Sequence, residues 1–259
     1  EPLMRKNLHY DWHWQWLYGN GDLGNNGIHF LDACRWALGY KSLAPRAMSF
    51  GEEFLWDDDR QTPNTQVAFY DYEPAPIIFE MRNLPRKKGD SAMDVTYRRT
   101  RADTVIECEG GYFAGGWAYD YNDKKLRQFK VSGGGSHHAN FIKAVRSRKV
   151  SDLNADILEG HLSTALCHMG NISYRLGRTT SPDEIAQSTG SKKDLLDAFE
   201  RASEHLSLHD VDLKETPMTL GPWLTMDSGT ERFVGEFSNE ANLYLSRNYR
   251  APFTIPAEV

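Results

Sequence analysis

Apolar positions along the chain follow two spacings. At 27–39, Ile28, Leu31, Cys34 and Leu38 recur three or four residues apart, the stripe of one helix face, and Gly39 stands where a C-terminal cap belongs. From about 46 to 131 the segments are short and rich in β-branched or aromatic residues, with Gly, Pro, Asn and Asp between them. Strands are predicted at Ala47–Phe54, Gln66–Tyr72, Ile77–Met81, Met93–Arg98, Thr104–Glu109, Trp117–Tyr121 and Leu126–Val131. No helix separates them, which points to antiparallel pairing rather than βαβ units. Helical spacing returns after the glycines at 133–135. Ser136 caps a helix running to about Arg148, with Phe141, Ile142 and Val145 turned inward. A long helix over Ala155–Leu176 carries Leu158, Leu162, Leu166, Met169, Ile172 and Leu176 on its apolar face. Ser181-Pro182 reads as a helix start, Lys192–Ser203 as a further helix, and Glu236–Ser246 as a short one. Residues 3–12 alternate as a strand would, and 16–26, rich in Gly and Asn, read as a loop. The fold class expected is α+β: an open, mainly antiparallel sheet with helices packed on one face. No shift in composition forces a domain boundary.

Composition narrows the function classes. A chain of 259 residues can bury a large core without a metal or disulfide. Acids outnumber bases, 36 to 30, for a net charge of −6, which argues against dedicated nucleic-acid binding. No run approaches the roughly 18 apolar residues of a membrane span. Cys34, Cys108 and Cys167 are scattered, so free thiols in a reducing, cytoplasmic compartment are expected. Glu1-Pro2 is no leader peptide, although export stays open.

Gly19-Asn20-Gly21-Asp22-Leu23-Gly24 matches the glycine pattern of dinucleotide-binding loops. Its context does not fit. Three tryptophans, not a buried Val/Ile strand, precede it, and Asp22 would set a negative charge beside the phosphates. The next plausible ribose-binding acids, Glu52 and Glu53, lie beyond the about 20 residues at which a ribose ligand is expected. A second pattern overlaps the first. If a helix starts near Asn25 or Asn26, then Asn25, His29 and Asp32 share a face. A histidine held between an amide and a carboxylate can take a proton near neutral pH. The alternative is a helix cap at Asn25, a packed His29, and Asp32 paired with Arg35 or Arg46. Trp12, Trp14 and Trp16, with His9 and His13, form either a stacking platform for sugar rings or one buried side of a strand. His9, Asp11 and His13 would share a strand face, so a zinc site with His29 is also conceivable. His161 and His168 are expected in the core.

The run Gly21-x-Leu23-x-Asn25-x-Gly27-x-His29-x-x-Asp32 resembles the G-G-x-L-x-D-x-G-x-H-x-x-D signature of the glucose–fructose oxidoreductase / inositol dehydrogenase / MocA (Gfo/Idh/MocA) family. Glu1–Met4, Ala139–Arg148 and Glu159–Leu162 are similar to that family as well. A bacterial subgroup is similar in more detail, at Gly21–His29, Leu166–Arg178 and Leu220–Asp227.

The resemblance implies the second, substrate-binding domain of an NAD- or NADP-dependent oxidoreductase acting on a sugar, polyol or glycoside. It places the whole of 1–259 in that domain, with the Rossmann domain that binds the dinucleotide outside it. It also implies a homo-oligomer formed through the free face of the sheet. By position, His29 resembles the family's catalytic histidine, facing the nicotinamide, and Asp32 resembles a ligand of substrate hydroxyls. Asn25 stands where many members have the Asp that partners the histidine, and Asn20 replaces the first glycine. Asp22 is a candidate substitute for the missing carboxylate, and Trp14, His13 and His9 complete the candidate substrate set. The rivals are an NAD-using glycosidase, a metal-dependent sugar isomerase or lyase, and a carbohydrate-binding domain without catalysis.

Overall fold

A computed structural model describes residues 11–93, 95–130 and 136–255. The strand expected at 3–12 lies outside these residues apart from its end, and there Trp12–Trp14 form a 3-10 turn rather than a strand. The loop expected at 16–26 is partly helical: α1 spans Gly21–Asn25 and α2 Gly27–Leu38. Gly39, at φ 73°, ends α2 as its spacing predicts.

Three antiparallel strands make the centre of the fold, β1 (Arg46–Glu52), β2 (Thr65–Tyr70) and β3 (Ile77–Arg82). A second sheet holds β4 (Ile106–Cys108), β5 (Gly111–Ala114), β6 (Trp117–Tyr119) and β7 (Lys125–Gln128), paired in that order. Among the described residues of Met93–Arg98 no strand forms, and β5 was not anticipated. Gly111 within it, and the glycines at 110, 115 and 116 around it, dilute the apolar alternation that marks a strand. The long helix follows α3 (His137–Ser147) as α4 (Ile157–Arg175), its N-terminus capped by the Asp156 carboxylate, which accepts from the Leu158 and Glu159 amides. Then come β8 (Arg178–Thr180), α5 (Pro182–Ser188), capped by Ser181, and α6 (Lys193–Ser207). The chain closes with β9 (Met218–Leu220), β10 (Leu224–Asp227), β11 (Arg232–Val234) and α7 (Ser238–Asn242).

The larger sheet runs β11-β10-β1-β2-β3, and β1 has two partners on one side. Ala47 pairs with Leu224 of β10, while Phe50 pairs with Leu220 of β9. Pro222 lies between β9 and β10 and cannot donate to the ladder, so pairing lapses there and resumes at Leu224.

Antiparallel pairing and the α+β class agree with the sequence. The placement of helices differs. Ala47, Ala68, Tyr70, Phe79 and Met81 point to one face and pack on Leu23, Leu31, Leu162 and Leu166 of α1, α2 and α4. Met48, Phe50, Val67 and Phe69 point to the other and pack on Ile185, Leu195, Phe199 and Leu206 of α5 and α6. Helices therefore cover both faces, including the one expected to be left for contact between copies. The reason is visible in β2, which is buried at every position. A strand apolar at consecutive residues needs cover on both sides.

Two faces were assigned the wrong way. Phe141, Ile142 and Val145 of α3, expected inward, are exposed, Phe141 by 63%. Ala144 is the residue of α3 that is buried. Leu158 of α4 is exposed too. His161, expected in the core, is exposed and lies 2.7 Å from Glu231. His168 is also exposed.

Candidate functional site

The signature segment enters α1 through Gly21, whose φ of 63° is left-handed and whose missing Cβ leaves room for the Thr62 side chain. Helix α1 ends at Asn25, and Asn26 links it to α2. Asn25 therefore does not share a helix with His29, and the one-face relation of Asn25, His29 and Asp32 holds only for the last two. Asn25 is half-buried, whereas His29 and Asp32 both lie on the exposed side of α2 with Trp36, which is 83% exposed. Successive residues turn about 100° around a helix, so His29, Asp32 and Trp36 fall within one sector.

Asp32 is fixed from below. The Ser163 hydroxyl donates to Asp32 Oδ1 at 2.7 Å, and Ser163 Oγ in turn accepts from Arg35 Nη1 at 2.7 Å. Arg35 is 1% exposed. It also donates to the Glu159 carbonyl, the Glu159 carboxylate and the Tyr40 carbonyl, at 3.2, 3.2 and 3.1 Å. Lys41 reaches the other Glu159 oxygen at 2.8 Å and holds that carboxyl below its usual range. Asp32 pairs with Arg35 at 3.8 Å, whereas Arg46 pairs with Asp71. This chain of charges ties α2 to α4 and sets the direction of the Asp32 carboxylate.

Asp22 belongs to a second group. It is buried in α1 and accepts from Asn83 Nδ2 at 2.5 Å. Burial lifts its carboxyl above the ordinary range, while Arg60, the Asn83 amide and His13 pull the other way. His13 stacks on Trp12 with ring centroids 3.8 Å apart, and Trp14 lies under the Arg60 guanidinium at 4.9 Å. Trp56 flanks Arg60 at 4.2 Å. The Trp14 carbonyl accepts from the Gln61 amide at 2.8 Å, so the 53–63 loop clasps the tryptophan turn. Burial and the Asp58 carboxylate push Glu53 up to about 7, against the pull of Arg60. The fold thus brings Asp22, His13 and Trp14 together through Arg60. His9 lies outside the described residues. Among those residues no three His, Cys, Asp or Glu side chains gather as a metal site would.

Asn83, Arg60 and Ser163 were not read as site residues. Each reaches its partner across a long stretch of chain, and no local spacing announces such a contact. The acidic loop Asp57–Asp59 carries Arg60 into the group, and the Gln15 side chain donates to the Asp59 carbonyl.

The glycine pattern at 19–24 is not a phosphate cradle. A Cβ on Gly19 would lie 2.5 Å from the His13 carbonyl oxygen, and the Asn20 carbonyl accepts from Asn171 at 2.8 Å. The loop is packed against its own chain, with the Asp22 carboxyl buried behind it. These residues do not fit a dinucleotide pyrophosphate.

A cleft of about 780 Å³ opens beside the site, between α2, β3 and α6. Asp22, Asn26, Phe30, Cys34, Arg82 and Asn83 are among its lining residues, and His29 is not. His29 sits round the helix from Asn26 and Phe30, on the neighbouring surface. Comparison with models of known protein families, with functionally characterised proteins and with solved structures finds no match.

Proposed function

We propose that this chain is the substrate-gripping part of an NAD- or NADP-dependent oxidoreductase that acts on a sugar, polyol or glycoside. What carries the reading is the signature at 21–32 together with the state of its two key side chains. His29 is solvent-open on α2, and Asp32, one turn on, is aimed by Ser163 and Arg35. Buried, paired charges behind an exposed acid are a way to hold it still for hydroxyl recognition. In this role Asp32 accepts from a substrate hydroxyl and His29 takes the proton of the hydroxyl being oxidised. The hydride acceptor would be held by another domain, since the 19–24 loop of this chain is closed to a pyrophosphate. An open His29 face is what contact with such a domain requires. Trp36, two turns on along the same side of α2, offers an aromatic surface to the same ligand. A homo-oligomer remains part of the proposal, through surfaces outside the helix-covered centre of the sheet.

The test is reduction of NAD(P)⁺ by the protein from its whole reading frame, over a panel of sugars, polyols and glycosides. His29→Ala should lower kcat by about 100-fold or more, the usual share of general base catalysis. Asp32→Asn should act mainly on KM. Turnover unchanged by His29→Ala would sink the reading.

A further inference from the structure

Strand β3 is the edge of the larger sheet and pairs with β2 alone. Asn83 N–H donates to the Asn64 carbonyl at 2.9 Å, which fixes the phase of the ladder. In antiparallel pairing the inward-facing backbone groups alternate along a strand. Ile77, Phe79 and Met81 therefore bond to β2, and the N–H and C=O groups of Ile78, Glu80 and Arg82 point outward. Among the described residues no hydrogen bond meets these outward groups. Ile78, Glu80 and Arg82 are among the residues that line the cleft described above, as are Tyr97 and Thr100.

The side chains on this edge are unequal. Glu80 is gripped by Arg201, whose Nε donates to Oε2 at 3.1 Å and whose Nη2 donates to Oε1. Arg82 is 13% exposed, and its nearest carboxylate oxygen, on the occupied Glu80, is 3.9 Å away. Among the described residues its guanidinium makes no hydrogen bond. It lines the cleft with its donors unspent, and guanidinium is suited to bidentate capture of a carboxylate. Farther along, Asp194 and Asp197 of α6 border the same cleft. Arg201 meets Glu80, and His205, one turn later on α6, meets the Pro85 carbonyl at 2.8 Å, so α6 runs beside β3 in the same direction. The two aspartates therefore lie toward the Pro76–Ile78 end.

We propose that β3 is a docking strand, taking an extended peptide of another protein that adds antiparallel to its free edge, an acidic residue on Arg82 and a basic one near Asp194 and Asp197. Residues opposite each other across a ladder share a face. The acidic residue is thus the one opposite Arg82. The next four, N- to C-terminal, stand opposite Met81, Glu80, Phe79 and Ile78. They read apolar, polar, apolar, apolar, with lysine two residues later. Ile78 to Arg82 spans roughly 14 Å, three rungs of backbone bonds. The backbone ladder supplies the grip, and the charges set direction and register.

The probe is the peptide acetyl-Glu-Val-Thr-Val-Ile-Ser-Lys-amide with a fluorophore, titrated into the chain by anisotropy, with amide hydrogen exchange read by NMR. Binding should protect the amides of Ile78, Glu80 and Arg82, and Arg82→Gln should weaken it about tenfold, the share of a charge-assisted hydrogen bond. N-methylation of the threonine, whose N–H faces β3, should abolish binding. N-methylation of the second valine, whose N–H faces away, should leave it intact. These two peptides test the ladder without touching the protein. Equal binding of both, protection confined to other segments, or indifference to Arg82→Gln overturns the proposal. So does self-association of the chain that protects the β3 amides without peptide, because a second copy would then own the edge.

Discussion

Replacing Ser163 with alanine tests the support beneath Asp32. The Ser163 oxygen takes one hydrogen bond from Arg35 and gives one to Asp32, each at 2.7 Å. The two losses differ in weight. Asp32 is half-exposed, so water replaces its lost donor and that bond contributes little. Arg35 is 1% exposed, and its Nε already has no acceptor among the described residues. Its Nη1 would keep the Glu159 carbonyl at 3.2 Å and lose the shorter bond. A hydrogen bond to a charged group contributes about 1.5–3 kcal/mol, so Ser163→Ala should cost about 2 kcal/mol. For a chain of this length that is a fall in Tm of roughly 4–8 °C. Asp32→Asn keeps a side-chain oxygen for the serine, and should cost under about 1 kcal/mol. Thermal melts followed by circular dichroism measure both, and a double-mutant cycle measures their coupling. A Ser163→Ala protein that melts with the unaltered chain would show that the hydroxyl does not bridge Arg35 and Asp32.

Four further expectations follow from particular contacts. Glu53, raised to about 7, favours its protonated form in the folded chain, so its contribution is present below about pH 4.5 and is lost as pH rises through about 7. Glu53→Gln should remove this slope from urea melts across that window. His205 is shifted the other way by burial, with Nε2 2.8 Å from the Pro85 carbonyl, so it resists protonation when folded. Its stabilising share is present above about pH 6.5 and falls as the unfolded chain gains a proton below it, a slope that His205→Gln should flatten. Leu166→Ala, in the core, should cost about 2–5 kcal/mol, while Phe141→Ser on the exposed side of α3 should change stability by under about 0.5 kcal/mol. Equal urea midpoints for those two would contradict the placement of α3. NAD(H) titrated calorimetrically into the chain alone should show no sub-micromolar binding, since the 19–24 loop is packed on His13 and Asn171.

Local patterns in the chain were enough for its local structure. The stripe from Ile28 to Leu38, the Gly39 cap, the repeat through α4 and the Ser181-Pro182 start all describe what neighbours three or four apart do, and the structure agrees. The cover on both faces of the sheet also had a signal, the unbroken apolar run at Val67–Tyr70. Other features depend on distant residues. Trp12–Trp14 alternate like a strand but curl into a 3-10 turn, where the 53–63 loop holds Trp14 and Trp16 through Gln61. Helix α3 is amphipathic, yet an apolar stripe does not tell whether the chain has anything to set against it. At the site, the spacing of His29 and Asp32 was legible because they share a helix. The end of α1 at Asn25 was not, nor was the meeting of Asp22 with Asn83 or of Asp32 with Ser163.

The double pairing of β1 bears on synthesis. Ala47 waits for Leu224, and Phe50 for Leu220, before that side of the strand closes. At about 5–20 residues per second a ribosome takes roughly 10–35 s to cover the interval. During it α4, α5 and α6 join α1 and α2 in covering the two surfaces, while the β1 border stays open until β9 and β10 emerge. Until then that side of β1 is an unpaired edge of the kind that invites pairing with another chain.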